Sequence, residues 1–422
     1  MLMTSPYLAQ STLEPVYRLH TIYNFLTNRT ETVDVASLAM LRRCLSPTSE
    51  QELVQEFTAG RLDHLIQQRM LLDSERVWQA HDVRVVEIEI GTQCNWRCEY
   101  CPKQDHPVPP DVMPMDLFGD ILQKAAASDS LREVSLNSYN EPTLDPFFEE
   151  RIRLIAKNGL RLCLYTNASK LSEDRLRLLR DSGVLSFCYI NLPSEDPEAF
   201  TRLTGGADWK TTFRALDLAV QWEMPVRISV QGTPQDKQRR AEAIRRRWPS
   251  LEISQWQTSD RLGLLTGAYA QNVSVEAERL FGCYHIFHSI CVDVHGDCYL
   301  CCNDYHKASR FDSIVNKSFD EILIGETMQR LRKEIFGAVP SGQSLLCRRC
   351  DVMRDNQQLM RVMRWLRKPV GGPDKAYGLR LSSKKSLWEE RNGDDNANNA
   401  SNSASSFSGA VRSADGTGIP IR

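Results

Sequence analysis

Between residues 84 and 257 the hydrophobic positions change period repeatedly. Short runs rich in β-branched and aromatic residues read as strands: VVEIEIG (85–91), REVSLNS (132–138), LRLCLYTN (160–167), LSFCYINL (185–192), VRISVQG (226–232) and LEISQWQ (251–257). Between them MDLFGDILQKAAAS, PFFEERIRLIAKNG, SEDRLRLLRDSG, WKTTFRALDLAVQWE and DKQRRAEAIRRRW carry apolar residues at helical spacing. Several end in the glycine that a helix C-terminus favours. Strands alternating with helices of this length predict parallel βαβ units and an α/β fold. Six such repeats are too few for a closed eight-stranded barrel, which takes about 250 residues. The pattern fits a partial (β/α)6 barrel over 84–260, or an open doubly wound sheet. Either one places its site at the carboxyl ends of the strands.

The flanks follow other rules. Residues 1–83 read as a small helical or winged-helix-like domain, small helices with a strand or two. SPTSEQELVQEF carries a helix start, with Ser46 or Thr48 as the cap and acids in the first turn, and LDHLIQQRMLL has helical apolar spacing. Such a domain is either a cap on the barrel or a module that holds a peptide. Residues 261–355 are rich in cysteine and show little periodicity. In the 356–391 segment NQQLMRVMRWLRKPV reads as a basic helix, and 392–422, which opens NGDDNANNASNSASSFSG, reads as a disordered tail.

Composition narrows the class. The 422 residues are 41% hydrophobic and 25% charged, with a formal net charge of -2. Nothing in that balance argues for nucleic acid or an acidic membrane surface. MLMTSPYLAQSTLEP has neither a basic nor an apolar leader region, and no run approaches the ~18 apolar residues of a membrane span. A cytoplasmic location is expected. Thirteen cysteines in such a chain point to metal or redox chemistry rather than to a disulfide scaffold.

Three of the thiols, Cys94, Cys98 and Cys101, lie in one short loop straight after the first barrel strand, as C-x3-C-x2-C with Tyr100 before the last. A structural zinc site takes four ligands, usually as paired C-x2-C knuckles, whereas three thiolates on a cubane cluster leave one iron open. This loop resembles the radical S-adenosylmethionine (SAM) superfamily. The resemblance implies a [4Fe–4S] cluster whose open iron chelates SAM, and reductive cleavage of SAM to a 5′-deoxyadenosyl radical that abstracts a substrate hydrogen. It also implies cofactor contacts from Tyr100, from Asn140 and Glu141 in NSYNEP, where the family usually has a Gly-Gly-Glu-Pro-like turn, and from Asn167 in YTNA.

A second group follows. Cys283, Gly296 and Cys301, then Cys347 and Cys350 as C-x2-C, resemble the twitch or SPASM extension of these enzymes. The resemblance implies one closed auxiliary [4Fe–4S] cluster held by Cys283, Cys301, Cys347 and Cys350. Cys302 competes with Cys301 as ligand, and a four-cysteine zinc ribbon is the alternative, because C-x2-C is also a zinc knuckle. Cys291 and Cys298 read as core thiols.

Residues 85–352 are similar to the 2-deoxy-scyllo-inosamine dehydrogenases of butirosin biosynthesis, and by that similarity Arg261 in TSDRLGLLTG contacts the substrate. An arginine is almost always protonated and so makes a poor base. The added front domain favours modification of a ribosomally made peptide. Oxidation or epimerisation of a sugar or aminocyclitol is the second reading, with Cys163 or Cys188 as hydrogen donor or, more simply, as core thiols. A non-catalytic iron–sulfur or zinc protein is the reading from another class. The resemblance further implies a flavodoxin or ferredoxin as electron donor.

Overall fold

A computed structural model describes residues 1–13, 19–232, 234–254 and 259–367 of the chain. The expected linker after residue 367 and the expected tail lie outside the described residues.

The N-terminal module is not purely helical. It runs β1 (Leu2–Thr4), β2 (Leu8–Ser11), β3 (His20–Asn24) and β4 (Arg29–Val33), then α1 (Val35–Arg43), α2 (Glu50–Glu56), α3 (Ala59–Gln67) and β5 (Leu71–Asp73). β2, β3 and β4 form an antiparallel meander, and β1 pairs with β5. The strands span three to five residues and β4 is mostly polar, which is too short and too weak an alternation to stand out in sequence. The cap of α2 is Ser49, neither Ser46 nor Thr48. Its Oγ accepts from Glu52 N at 3.3 Å while the Glu52 carboxylate accepts from Ser49 N at 3.2 Å, a reciprocal capping box. Thr48 instead pairs its backbone with Leu2. Helix α3 stops at Gln67 because Arg69 turns through φ 55, which sends Met70 and Leu71 into the module's own core with Leu8, Ile22, Leu41 and Leu65.

The barrel follows expectation more closely. Six parallel strands, β6 (Val85–Ile88), β7 (Glu133–Leu136), β8 (Arg161–Thr166), β9 (Leu185–Asn191), β10 (Val226–Ser229) and β11 (Glu252–Ser254), lie side by side in chain order. Their covering helices are α4 (Met115–Ala127), α5 (Phe148–Lys157), α6 (Glu173–Asp181), α7 (Pro197–Leu203), α8 (Trp209–Gln221) and α9 (Pro234–Arg247). Helix α7 is the one the sequence pattern does not single out. Val86, Ile88, Val134, Leu136, Leu162, Leu164, Ile190 and Ile228 face the helices in one buried core. Alternation along a strand then turns Glu87, Glu89, Ser135, Asn137, Cys163, Tyr189 and Asn191 to the inside of the curved sheet. Strands of a parallel sheet are normally near-continuous apolar runs, so a polar inner face is the mark of a cavity built to hold something.

The cysteine-rich segment extends this sheet. β12 (Ser289–Val292) adds parallel to β6, and β13 (Asp297–Tyr299) and β14 (Arg310–Ser313) continue antiparallel. α10 (Phe319–Ile324), α11 (Glu326–Ile335) and α12 (Asp351–Leu359) follow. Of the expected basic helix over 356–370, only residues 356–359 are helical among the described residues. α12 ends at Leu359, and β15 (Met363–Trp365) pairs antiparallel with β2 as the fourth strand of the N-terminal sheet. Tertiary pairing overrides helical spacing there.

Candidate radical and auxiliary cluster sites

The loop after β6 carries Cys94, Cys98 and Cys101 at the carboxyl end of the barrel. It is pinned from two sides. Arg97 N donates to Thr204 O at 2.9 Å and Glu99 N to Leu203 O at 3.3 Å, which lays the loop on the end of α7. Gly205 makes that approach possible, because a Cβ there would meet the Arg97 backbone and Cβ at 2.7 Å. On the other side Lys103, buried to 7% exposure, donates to Thr92 O. Burial pushes the Cys94 thiol up to about 11, helped by the charges of Glu141 and Cys101, and pushes Cys98 and Cys101 up as well. These clustered thiols, Cys98 buried and Cys94 and Cys101 partly so, resist ionisation unless positive charge joins them. That is the donor chemistry an iron cluster satisfies.

Glu141 organises the neighbouring turns. Its Oε1 accepts from Thr143 N (3.1 Å), Thr143 Oγ1 (2.6 Å) and Thr166 Oγ1 (2.5 Å), and its Oε2 from Asn167 N (2.6 Å). The carboxylate is therefore committed within the protein and ties the end of β7 to the end of β8. Asn167, so held, points its amide to Cys94 Sγ (3.9 Å) and Asn95 Oδ1 (3.0 Å). Ser138 (φ 121) and Ala168 (φ 59) put a non-glycine residue at positive φ in each turn, a strain that is typical of functional sites. Tyr100 is buried beside the triad and accepts from Asn191 Nδ2 at 2.9 Å. Asn140 lies in the β7 turn with a buried Oδ1 that has no partner.

Arg261 stands on the far side of the cavity, in a left-handed turn (φ 52) continued by Leu262 and Gly263. Its Nη1 donates to Asn303 Oδ1 at 2.7 Å, its guanidinium lies 5.5 Å over the Tyr139 ring, and its charge favours the thiolate of Cys101. The structure thus brings Arg261 to the triad across the barrel mouth. Sequence reasoning missed several neighbours. Glu89 is 2% exposed; its Oε1 is held by Lys307 Nζ at 2.8 Å and Ser138 Oγ at 3.1 Å, while its buried Oε2 has no partner. Tyr139 Oη and Arg261 Nε are likewise buried without a partner. Orphaned buried polar atoms are rare, and several round one cavity mark the surface a polar ligand would satisfy. The signal was visible in VVEIEIG, where two acids alternate with core residues.

Cys283, Cys301, Cys347 and Cys350 line one pocket with Ile335, Leu346 and Met353. Cys302 is not among the lining residues. Its thiol is nevertheless hydrogen-bonded to that of Cys301, and its charge also reaches Tyr139 and Cys291. Burial pushes the Cys347 and Cys350 thiols well up, and the charge of Cys283 adds to both shifts. Among the described residues no three His, Cys, Asp or Glu side chains already converge on a single ion, so the fit rests on the shared pocket and on this mutual field. Cys298 lies in the apolar core, as expected, and so does Cys188, on the helix side of the sheet. Cys163 and Cys291 are buried on the inner face, Cys291 beside Glu87.

The radical SAM superfamily matches this chain over residues 88–245, and the iron–sulfur cluster-binding SPASM domain over residues 283–351. The chain carries a radical SAM domain and a SPASM domain. It accordingly takes a [4Fe–4S] cluster that binds SAM and auxiliary iron–sulfur in the SPASM domain, whose matched span includes the second cysteine group. A tungsten-containing aldehyde ferredoxin oxidoreductase cofactor-modifying protein of Pyrococcus furiosus is 33% identical over 24% of this chain and 29% of its own length. The SAM-dependent 2-deoxy-scyllo-inosamine dehydrogenase of Niallia circulans is 29% identical over 24% of this chain and 42% of its own. These matches span less than half of each curated relative. Among solved structures, BtrN with AdoMet and 2-DOIA gives a TM-score of 0.44 at 19% identity over 64% of this chain and 93% of that one. Streptococcus suis SuiB bound to precursor peptide SuiA gives 0.43 at 12% over 84% and 94%. Among the described residues of the radical SAM–SPASM chain, no helix is long and apolar enough to cross a membrane.

Proposed function

We propose that this radical SAM–SPASM chain is an oxidoreductase that tailors a ribosomally made peptide, captured as an added strand along β4. The observation that carries the reading is the edge of the N-terminal sheet. In the order β15-β2-β3-β4, β4 has a strand on one side only among the described residues, and Arg29, Thr30 and Thr32 are exposed. An unpaired edge strand is a template for an extended peptide, with main-chain hydrogen bonds supplying affinity.

Cys94, Cys98 and Cys101 would hold the [4Fe–4S] cluster, which with SAM would supply radical hydrogen abstraction from substrate. The protein's share is placement. Glu141 holds Asn167 against the triad, Tyr100 holds Asn191, and Tyr139 and Asn140 offer free polar atoms from the β7 turn. Glu89 and Arg261 present a free acceptor and a free donor to the substrate across the mouth. Cys283, Cys301, Cys347 and Cys350 hold the auxiliary cluster, and a flavodoxin or ferredoxin delivers the electron. Because the inner face is polar, oxidation of an aminocyclitol is the second reading, and it shares these roles for Glu89 and Arg261.

The test is anaerobic reconstitution with candidate precursor peptides and, in parallel, with aminocyclitols. The reduced chain forms 5′-deoxyadenosine, Cys98→Ala does not, and amide exchange along 29–33 slows when the peptide is added. A chain that holds zinc and no iron refutes the radical reading. A peptide that is modified while the β4 amides exchange unchanged refutes the docking mode. Turnover of an aminocyclitol but of no peptide moves the assignment to the second reading.

A further inference from the structure

The four-cysteine pocket and the N-terminal sheet share their walls. Cys350 immediately precedes α12, which runs on into β15. β15 is stitched to β2, with Met363 opposite Ser11 and Trp365 opposite Ala9. Thr12 donates twice to Val362 O, from N at 2.8 Å and from Oγ1 at 3.0 Å, and Leu366 N donates to Leu8 O at 2.9 Å. Leu366 belongs to the core of the N-terminal module. The segment that leaves one cysteine of the pocket therefore runs into the other domain.

Cys283 is connected in the same direction. Its neighbour Gly282 lies at φ +86, where an added Cβ would meet both Phe336 and Trp365 at 2.9 Å. Gly282 N donates to Ile335 O at 2.8 Å, and Asn356 Nδ2 of α12 donates to Gly282 O at 2.6 Å. Ile335 lines the cysteine pocket. The next residue, Phe336, packs its ring against Tyr7 at 4.9 Å, Phe25 at 5.5 Å and Trp365 at 5.8 Å. Helix α11 also reaches the connection between the two domains, since Arg332 Nη1 donates to Trp78 O and Gln79 O. Little separates the pocket from the sheet that could absorb a change in one without moving the other.

We infer that loading of the four-cysteine pocket and ordering of the N-terminal sheet are one linked equilibrium, so that the chain presents an ordered β4 edge only when the auxiliary cluster is in place. This rests on the reading that these cysteines hold the cluster. A bound cluster would fix the backbone at Cys283 and Cys350. Those two points set the register of α12 and β15. Linkage is reciprocal. If the cluster orders β15, loss of β15 packing must loosen the cluster by the same factor.

The experiment uses the full chain, with iron and acid-labile sulfide counted on every sample. Amide exchange is followed at 8–12 and 360–367, with 161–166 in the barrel as internal reference. Reconstituted wild type and Cys98→Ala, which keeps the four-cysteine pocket, exchange at 8–12 and 360–367 more slowly than the iron-free chain and Cys350→Ala. The ratio falls in the roughly 5–150-fold range of linked sites. In the reverse direction Trp365→Ala, and the milder Leu366→Ala, leave all cysteines in place yet lose auxiliary iron to a chelator faster by a comparable factor. Equal exchange in loaded and iron-free chains overturns the linkage, as does wild-type iron release from both variants. Cys98→Ala that takes up no iron overturns the cluster reading as well, and the iron count separates that failure from the other.

Discussion

Gly205 supports the triad loop from behind. It lies at φ +72, and any Cβ there would fall 2.7 Å from Arg97 Cβ and O. Gly205→Ala forces an L-residue into the left-handed region, at about 1–2 kcal/mol, and pushes on the loop with Cys98 at its centre. We expect the variant to lose most of its triad iron while keeping its auxiliary iron, read by iron content and by the electron paramagnetic resonance of the reduced chain. Full triad loading with an unchanged melting temperature would show that the loop stands without this support. The residue also marks where sequence reading stops. The three thiols are visible because their spacing is local. Gly205 looks like an ordinary turn, since the backbone it supports belongs to a loop far away in sequence. Glu141 shows the intermediate case: its position beside the cofactor turn was legible, but that its carboxylate is taken up by Thr143, Thr166 and Asn167 was not. Glu89 needed its partner Lys307, which sits in another domain.

At the scale of elements, the barrel strands were legible because each alternates apolar core residues with inward ones and is bounded by turns, and the helices because their buried stripe repeats over nine or more residues in all but α7. The N-terminal strands and β15 were not, because three to five residues with one polar face carry little periodicity and owe their conformation to partners distant in the chain. Local chemistry is stronger at the helix starts. Asp34 caps α1, accepting from Ser37 N at 2.7 Å and from Arg61 Nη2 at 2.9 Å. Arg61, then Ser37, hold its carboxyl at about 2, below the usual range. The folded state therefore binds this proton less readily than the unfolded chain. The stabilisation is complete above about pH 4 and is lost as pH falls toward 2. Asp34 is 48% exposed, so solvent screens the ion pair and the cap itself dominates. Asp34→Ala should cost about 1 kcal/mol at pH 7 and clearly less at pH 2, where about half of the folded carboxyl is protonated, measured as the difference in urea unfolding. An equal cost at both pH values would deny the cap its charge.

At the scale of the molecule, the N-terminal module, the barrel and the SPASM domain meet at a seam that buries titratable groups in their neutral form. His81 lies beside the linker held by Arg332, and His288 sits where β12 begins, its carbonyl accepting from Arg84 and Val85. His81 Nδ1 and His288 Nε2 are both buried without a hydrogen-bond partner. Burial, reinforced for His81 by Arg332 and then Arg69, lowers both imidazoles to about 4. An unfolded histidine takes up its proton near pH 6.5, so between about 6.5 and 4 the unfolded chain binds more protons than the folded one, and stability falls as the solution is acidified. The contribution is whole above pH 6.5 and lost progressively below it, at up to about 1 kcal/mol per pH unit for the pair after solvent screening. Replacing both residues by glutamine should flatten the dependence of unfolding free energy on pH between 6.5 and 5, leaving the carboxylate-driven fall below pH 4 in place. Exchange at 360–367 should report the same loss locally, because that segment crosses the seam. If the double variant keeps the wild-type slope between pH 6.5 and 5, acid acts on this protein elsewhere, and the seam is not where its domains first come apart.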